Sequence, residues 1–475
     1  MLRSIADDAQ HSLSQEVAAT WRDLGVSRML KQTPDRPSDY LTEALRVYGL
    51  DIVESGPVRS LNQWQWQVNR LHAAILQRAT ELNNAVNIAE PVEDMDAFWT
   101  LATQTDAGIT NLTYWDTFEN GRRLQLERVL AEVYGSEQSI LVNCGMSAIA
   151  VALGACKVRT GTRLLVGKSR YFETSGLIER HLLPLGVEIH AVDVAQPNVL
   201  RDALGGFRPE VVLLETIANM PSVDPVRDIA AWSASPSAPI FILDNSVQSA
   251  LTQWFDLLDF PDRLLVVESG TKYITNDAMC GVIYGAGDLI ASSRHYARDT
   301  GQSLQARALS YLDASLIRLL PPRMATHSRN VRTFATELSR SGITELKLTV
   351  LDSFADEGNA KVFAKGVGSL IYLVFGDFEG SDYKQLLTRW RQKARAHGDA
   401  VVPDVRAGFG WLKSSARVYE TTRLNRADAP SYFRISLGLE DTEAVKASAK
   451  CLADAAKEIL AGRQPALELA EFWRN

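Results

Sequence analysis

The sequence predicts an α/β protein whose larger part is a mostly parallel β-sheet with helices on both faces. From about residue 120 onward, helix-length segments alternate with seven short runs rich in Val, Ile and Leu: SILVN, RLLVG, EIHAVDV, EVVLLET, APIFILDN, RLLVVES and CGVIYG. Strands that are buried on both faces read as continuous apolar runs, and the helices between them make such strands parallel. We therefore expect a seven-stranded sheet with ligand chemistry at the carboxyl ends of its strands.

Composition excludes several classes of protein. The chain has 475 residues, is 46% hydrophobic and 23% charged, and carries a net charge of −7. A mildly acidic chain without a basic block argues against nucleic acid as a partner, and no apolar run reaches the roughly 18 residues that cross a membrane. The start, MLRSIADDAQHSLSQEV, lacks the apolar region of a secretory signal. The four cysteines are scattered and form no CxxC pair, so they predict no metal site: Cys144, Cys156, Cys280 and Cys451. Scattered cysteines and the missing signal together favour a cytoplasmic enzyme.

The order of segments predicts three regions. Residues 1–105 form a helical extension, because LTEALRVYGL and NQWQWQVNRLHAAILQRATELNNAV repeat apolar residues every three or four positions. We expect that extension to pack on the main domain or on a partner subunit. Residues 106–320 form the large domain. A helical region broken by Pro-Pro at 321–322 leads into a smaller C-terminal α+β domain, 321–475, with strands KLTVL, SLIYLVF and YFRISLGL and helices DYKQLLTRWRQKARAH and DTEAVKASAKCLADAAKEIL.

The segment ESGTKYI carries the leading catalytic candidate. Lys272 follows a buried apolar run and stands behind two hydroxyl residues, Ser269 and Thr271. Such a lysine can simply leave the core for solvent. The functional alternative is that Lys272 holds pyridoxal 5'-phosphate (PLP) as a Schiff base while Ser269 and Thr271 donate to the phosphate. That bond needs an amine that loses its proton easily, as a lysine in a dry, cationic site does.

Asp244, at the end of the run FILDN, is the second candidate. A PLP enzyme of this type needs a carboxylate that keeps the ring nitrogen protonated, because the protonated ring is the electron sink. Aspartates at strand ends also serve as helix caps. The functional interpretation of Asp244 is strengthened by its spacing from the candidate lysine, Lys272.

The segment NCGMSAIAVALGA predicts a glycine turn from a strand into a helix. The amides of Gly145 and Met146 would then point at a phosphate, with the helix dipole behind them. Tight packing alone also explains many strand–Gly–helix junctions.

Three further side chains have both a functional and a structural interpretation. Tyr171 in YFETSG can stack on the cofactor ring and carry protons, or can be a partly buried loop tyrosine. Asn219 in ETIANMP can contact the ring's hydroxyl oxygen, or can form a turn. Arg434 in YFRISLGLED can clamp a carboxylate with two hydrogen bonds, or can form a surface ion pair.

In their order, these motifs resemble the PLP enzymes of cysteine and methionine metabolism: cystathionine gamma-synthase, cystathionine gamma-lyase, methionine gamma-lyase and O-acetylhomoserine sulfhydrylase. The resemblance covers about residues 110–475 and rests on CGMSAI, Tyr171, ETIANMP, LDN, SGTKY and RISLGLED. It implies a PLP-dependent transferase fold of type I, the aspartate-aminotransferase type. It also implies a homodimer or homotetramer with shared active sites.

The resemblance also implies a role for each candidate. Lys272 becomes the Schiff-base lysine and shuttling base, Asp244 the partner of the ring nitrogen, and Tyr171 the stacking residue and proton carrier. Asn219 contacts the ring oxygen and Arg434 binds the substrate carboxylate. The phosphate is held by Gly145, Met146, Ser269 and Thr271.

Departures from the family pattern lie around the substrate and the subunit boundary. The segment YWDTFENGRR lacks the family's phosphate-clamping arginine; Tyr114 remains as a cofactor-binding candidate, with Arg122 or Arg123 as the source of charge. TKYITNDAM lacks a glycine and a histidine of the family, and Gly408 falls close to a serine that seats substrate. The departures imply an intact cofactor site with altered substrate recognition.

The function implied is elimination on a γ-substituted L-amino acid. The altered loops favour a non-standard substrate, such as a halogenated or acylated amino acid of specialised metabolism. Two alternatives stay open: γ-replacement, in which a nucleophile takes the place of the leaving group, and a non-catalytic relative that binds a partner.

Overall fold

The computed structural model describes residues 121–462 except for 195, 197, 218–238, 276–277, 310–311, 313, 351–359, 377, 407 and 420–430. The predicted helical extension over residues 1–105 lies outside the described residues, as do Tyr114 and Asn219. The domain boundaries placed at 105 and 320 stay predictions.

The larger sheet has seven strands and is mostly parallel, as predicted. Its spatial order is β1-β7-β6-β5-β4-β2-β3. Strands β2 to β6 run parallel to one another, whereas β7 is antiparallel to both β1 and β6. In chain order the strands are β1 (Gln138–Val142), β2 (Arg163–Gly167), β3 (Glu188–Val192), β4 (Val211–Glu215), β5 (Ile240–Asp244), β6 (Leu264–Ser269) and β7 (Gly281–Gly285).

Helices cover both faces of this sheet, which explains why its inner strands are apolar. The edge strand β3 differs from the expectation, because it is mostly exposed and contains Glu188 and His190. Along β4 and β5, Val212 and Phe241 join one hydrophobic cluster while their neighbours Val211 and Ile242 join a second cluster on the opposite face. The helices are α1 (Gly121–Tyr134), α2 (Gly145–Ala155), α3 (Phe172–Leu177), α4 (Val199–Phe207), α5 (Trp254–Leu257), α6 (Gly270–Tyr273), α7 (Gly287–Asp299), α8 (Ala306–Leu309) and α9 (Ala314–Arg318).

The C-terminal part contains a second, five-stranded sheet of order β10-β11-β12-β9-β8. The three predicted strands and two predicted helices are present, and β10 and β11 are additional. The elements are α10 (Leu320–Ser339), β8 (Leu346–Val350), β9 (Leu370–Phe375), α11 (Gly380–His397), β10 (Asp404–Val405), β11 (Ser415–Tyr419), β12 (Tyr432–Ser436) and α12 (Thr442–Gly462).

The predicted break at Pro321 and Pro322 is wrong in one respect. The prolines occupy the first turn of α10 and begin that helix instead of interrupting it. Proline suits this position because the first turn's N–H groups have no partner within the helix.

The short helix α6 ties the two sheets together. The Tyr273 hydroxyl lies 2.9 Å from Ser369 Oγ, at the edge of β9, and donates to the Val247 carbonyl at 3.3 Å. From α10, buried Arg323 donates to the Tyr273 carbonyl. The helix α6, which contains Lys272, is therefore held by contacts with both the large and the small sheet regions. Within the described ranges no helix is both long and apolar enough to cross a bilayer.

Candidate active site

A cavity of about 410 Å³ lies at the carboxyl ends of the large sheet's strands, between that sheet and the small one. This is the edge at which α/β proteins place their ligands. Apart from Arg123, the cavity brings together every predicted site residue that the structure describes, although their individual roles stay predictions: Gly145, Met146, Tyr171, Asp244, Ser269, Thr271, Lys272 and Arg434.

Lys272 projects from α6 into this cavity, so it does not simply leave the core for solvent. Its Nζ lies 5.5 Å from the centre of the Phe409 ring. Burial lowers the pKa of Lys272, and the charge of Arg434 lowers it further, whereas Glu173 and Asp244 act in the opposite direction. A lowered pKa makes the neutral amine, which is the nucleophilic and basic form, easier to reach.

Asp244 ends β5 and faces the same cavity. Its Oδ1 accepts hydrogen bonds from the Ser246 amide at 3.0 Å and the Ser246 hydroxyl at 2.6 Å. Burial raises the pKa of Asp244, although these hydrogen bonds and the Lys272 charge oppose the rise. Both hydrogen bonds end on Oδ1, so Oδ2 is the oxygen that a cationic ligand would meet, and such a ligand would offset the cost of burying the carboxylate.

Gly145 begins α2 where that helix touches the end of β6. A Cβ atom at Gly145 would lie 2.8 Å from Ser269 Cβ, closer than two such atoms can approach. Cys144 caps the helix, with its Sγ accepting from the Ser147 amide at 3.3 Å. The free amides of the first turn therefore stand beside Ser269, in the arrangement that binds phosphate at helix N-termini.

Substituting Gly145 with alanine is expected to weaken cofactor binding by roughly tenfold, because the new methyl group separates α2 from Ser269. The dissociation constant for PLP, measured by absorbance titration, checks this. Gly205→Ala is the matched control, since a Cβ there meets no atom within 4 Å. Unchanged affinity in Gly145→Ala would remove this junction from the phosphate site.

The Thr271 hydroxyl is engaged with the backbone. It donates to the Cys280 carbonyl at 3.3 Å and accepts from the Cys280 amide at 3.0 Å. Thr271 thus links α6 to the residue before β7. Its predicted donation to the phosphate requires the hydroxyl to turn away from the Cys280 carbonyl.

Tyr171 follows β2 at the start of α3 and is half-buried in the cavity wall. Its amide donates to the Glu215 carboxylate. Burial raises the pKa of Tyr171 to about 12, helped by the charge of Glu173 and a hydrogen bond with it. The phenol therefore keeps its proton near neutral pH and can give it to a departing group.

Arg434 lies on β12 and is only 3% exposed, so the alternative of a surface ion pair is wrong. Its Nη2 donates to the Gly408 carbonyl at 2.9 Å, and its Cζ lies 4.8 Å from the centre of the Tyr419 ring. Gly408 has a φ of +125°, which L-residues with side chains rarely adopt. The backbone near the family's serine position therefore favours glycine, and its carbonyl holds the arginine.

The side chains of the cavity wall that the sequence did not single out include Glu173, Phe409, Arg417 and Tyr419. The alternation in SARVY was the available signal for β11, and it places Arg417 and Tyr419 on one face of the strand. Glu173 stands two residues after Tyr171 in YFETSG.

Arg123 is the wrong candidate for the phosphate clamp. Its guanidinium is buried under α1, where it donates to the carbonyls of Leu141, at 3.1 Å, and Leu304. A side chain held inside its own subunit does not reach a neighbour's cavity. The Arg122 side chain lies outside the described residues.

The side chains in the cavity fit PLP. The helix N-terminus at Gly145 suits a phosphate, Asp244 suits a protonated ring nitrogen, and the amine of Lys272 lies on the same cavity wall. Across the described part of the chain, no group of three or more His, Cys, Asp and Glu side chains is arranged to hold a metal ion.

Known proteins resemble this chain in sequence. The chloroplastic mimosinase of Leucaena leucocephala is 25% identical over 346 residues, which cover 70% of this chain and 74% of that protein. The L-methionine gamma-lyase of Porphyromonas gingivalis is 29% identical over 236 residues, 46% of this chain and 55% of that protein. The L-methionine gamma-lyase of Treponema denticola is 25% identical over 335 residues, 68% of this chain and 81% of that protein.

Solved structures share the fold. Cystathionine gamma synthase from Xanthomonas oryzae pv. oryzae, in complex with aminoacrylate and cysteine, matches with a TM-score of 0.61 and 19% identity. The match covers 75% of this chain and 89% of that chain. The predicted type I fold is thereby confirmed. The sequence model of the Cys/Met metabolism PLP-dependent enzymes matches residues 87–450, so the chain belongs to this family of enzymes.

Proposed function

We propose that this enzyme catalyses γ-elimination on a γ-substituted L-amino acid. Its membership of the family establishes a PLP-dependent lyase or synthase type of activity on small amino acids. One observation carries the finer proposal: Lys272, Tyr171, Arg434 and Asp244 line one cavity. Relatives named L-methionine gamma-lyase, 25–29% identical, support elimination.

Each side chain has one task in this proposal. Bound PLP supplies the electron sink that stabilises negative charge at the α carbon of the amino acid. Arg434 holds the α-carboxylate, and Asp244 Oδ2 keeps a proton on the ring nitrogen. Lys272 Nζ removes the α proton and, once it has given that proton up, removes a β proton; its lowered pKa makes the neutral amine easier to regain. Tyr171 Oη gives its proton to the leaving group, for which its raised pKa suits it.

Substrate recognition sets this chain apart from its family. Gly408 lies close to the position of a substrate-seating serine, and Glu173 and Arg417 add charge to the cavity wall. These side chains support a substrate outside ordinary sulfur amino acids, for example one with a halide or acyl leaving group.

γ-Replacement is the second candidate, because elimination and replacement share every step up to the loss of the γ-substituent. The two differ in whether a nucleophile then adds at the γ carbon. The third possibility, a non-catalytic partner-binding relative, does not hold, because the family consists of enzymes.

The deciding experiment incubates the PLP-loaded enzyme with a panel of γ-substituted L-amino acids, with and without an added thiol. We expect a 2-keto acid and ammonia from at least one substrate, unaffected by the thiol. Mass spectrometry of the products checks this. A γ-thioether product that replaces the keto acid would favour replacement, and intact substrates throughout would overturn the proposal.

We further propose that the enzyme works as a homodimer or homotetramer with shared active sites. Two large apolar side chains at the cavity, Phe172 and Met279, are 71% and 65% exposed in the single chain, and a second subunit over the cavity would cover them. Light scattering on the purified protein tests the assembly, and a monomer would contradict it.

A cytoplasmic location is also a proposal. The four cysteines are free thiols, as suits a reducing compartment. Fractionation of cells that express the tagged chain tests this location.

A further inference from the structure

Arg417 and Arg434 are direct neighbours across two strands of the small sheet. Strands β11 and β12 are antiparallel, and their register pairs these two residues. Side chains of directly opposed residues project from the same face of a sheet, with Cβ atoms about 4.5–5.5 Å apart. Both residues line the cavity.

Opposed like charges destabilise a sheet, so the arrangement needs compensation. Part of it comes from Tyr419, since Arg434 Cζ lies 4.8 Å and Arg417 Cζ 5.4 Å from the centre of that ring. Tyr419 is itself held by stacking on Tyr432, with ring centres 4.8 Å apart. Within the described ranges Arg417 forms no ion pair with an Asp or Glu side chain.

The carboxylates of the cavity wall do not lie on the strands that carry Arg417 and Arg434. Glu173 lies in the first turn of α3, Glu215 accepts from the Tyr171 amide, and Asp244 accepts from Ser246. These positions place the three acids on the side of the large sheet. The face formed by β11 and β12 therefore carries two arginine side chains at the cavity.

We propose that Arg417 binds an acidic group at the side-chain end of the substrate. This inference rests on the proposed function, in which Arg434 takes the α-carboxylate. A γ-substituted amino acid with a carboxylate, sulfonate or phosphate in its leaving group has two anions a few bonds apart. The paired guanidinium groups match those two anions, and half-buried Arg417 can meet the second with two parallel hydrogen bonds.

Equilibrium binding to the PLP-loaded enzyme tests this with two isosteric amino acids, L-glutamate and L-glutamine. The wild type is expected to bind L-glutamate roughly 10- to 100-fold more tightly than L-glutamine, and Arg417→Gln is expected to lose that preference. Arg417→Lys, which keeps the charge, should retain part of it. Lys413→Gln removes an exposed cation of the same segment, outside the cavity wall, and should keep all of it.

Two results separate the inference from the proposed function. Equal affinity of the wild type for both amino acids, with normal turnover of a neutral substrate, overturns the role of Arg417 alone. Failure of both amino acids to bind or to shift the cofactor absorbance overturns the role of Arg434 as well. Arg434→Gln should weaken both amino acids alike, because it removes the contact with the carboxylate that they share.

Turnover gives a second readout with S-carboxymethyl- and S-carbamoylmethyl-L-homocysteine. The first ends in a carboxylate and the second in an amide, and they are otherwise identical. Arg417→Gln is expected to lower kcat/KM for the acid by roughly 10- to 100-fold and to change that for the amide less than about twofold. Arg417→Glu should reverse the preference. An equal loss for both substrates would make Arg417 a structural residue and overturn the inference.

Discussion

Lys272→Ala is expected to lower turnover by roughly 10⁴-fold or more, because one substitution removes both the covalent attachment of PLP and the base. Among the described residues, Lys272 is the one lysine that lines the cavity. After reduction with borohydride, mass spectrometry should find a cofactor adduct on Lys272 in the wild type and none in the variant.

Lys168→Ala is the matched control for this substitution. Lys168 also follows a buried strand of the large sheet, but it is exposed and lies outside the cavity wall. It should keep the adduct and near-normal turnover. Substantial turnover in Lys272→Ala would show that another residue carries the chemistry.

Asp244→Asn is expected to lower kcat by roughly 10²- to 10⁴-fold while PLP stays attached to Lys272. The amide has nearly the shape of the carboxylate but lacks the charge that keeps a proton on the ring nitrogen, so carbanion formation suffers. Exchange of the α proton in D₂O, followed by NMR, isolates this step and should slow in parallel with kcat. The Ser246 contacts to Oδ1 can persist in the variant, which keeps the comparison local.

Near-normal exchange in Asp244→Asn would refute the assignment of Asp244 as the partner of the ring. Loss of the cofactor adduct would instead indicate that Asp244 positions PLP. Asp256→Asn, an acid outside the cavity wall, serves as the charge-matched control.

The large sheet was predictable because its strands obey one simple constraint. Burial on both faces requires unbroken apolar runs, and these runs stand out in the sequence at the inner strands β2, β4, β5, β6 and β7. The edge strand β3 has a mixed sequence and is mostly exposed. The chemistry at strand ends followed from the same constraint, since Asp244 and Lys272 come directly after apolar runs whose carboxyl ends share an edge.

The small sheet was harder to predict for a physical reason. Strand β11 has buried and half-buried positions, and its segment SARVY contains small and charged residues. Its place in the fold depends on pairing with β12, a contact between residues distant in sequence. Arg417 could not be assigned to the cavity without that register, and Arg434 was assigned by family resemblance.

The backbone around the site was also hidden in the sequence. The φ of +125° at Gly408 and the burial of Arg123 under α1 both result from packing between distant segments. A glycine or an arginine reads the same in the sequence whether it is buried or exposed.

The two walls of the cavity are encoded in separate stretches of the gene. Lys272, Asp244 and Gly145 come from the seven-stranded sheet and its helices, whereas Arg417 and Arg434 come from the five-stranded sheet. Mutations in the last third of the coding sequence can therefore retune which amino acid is accepted without disturbing the reactive machinery. Such a division lets natural variation, or a chimera with a relative, exchange one set of preferences for another in a single recombination event.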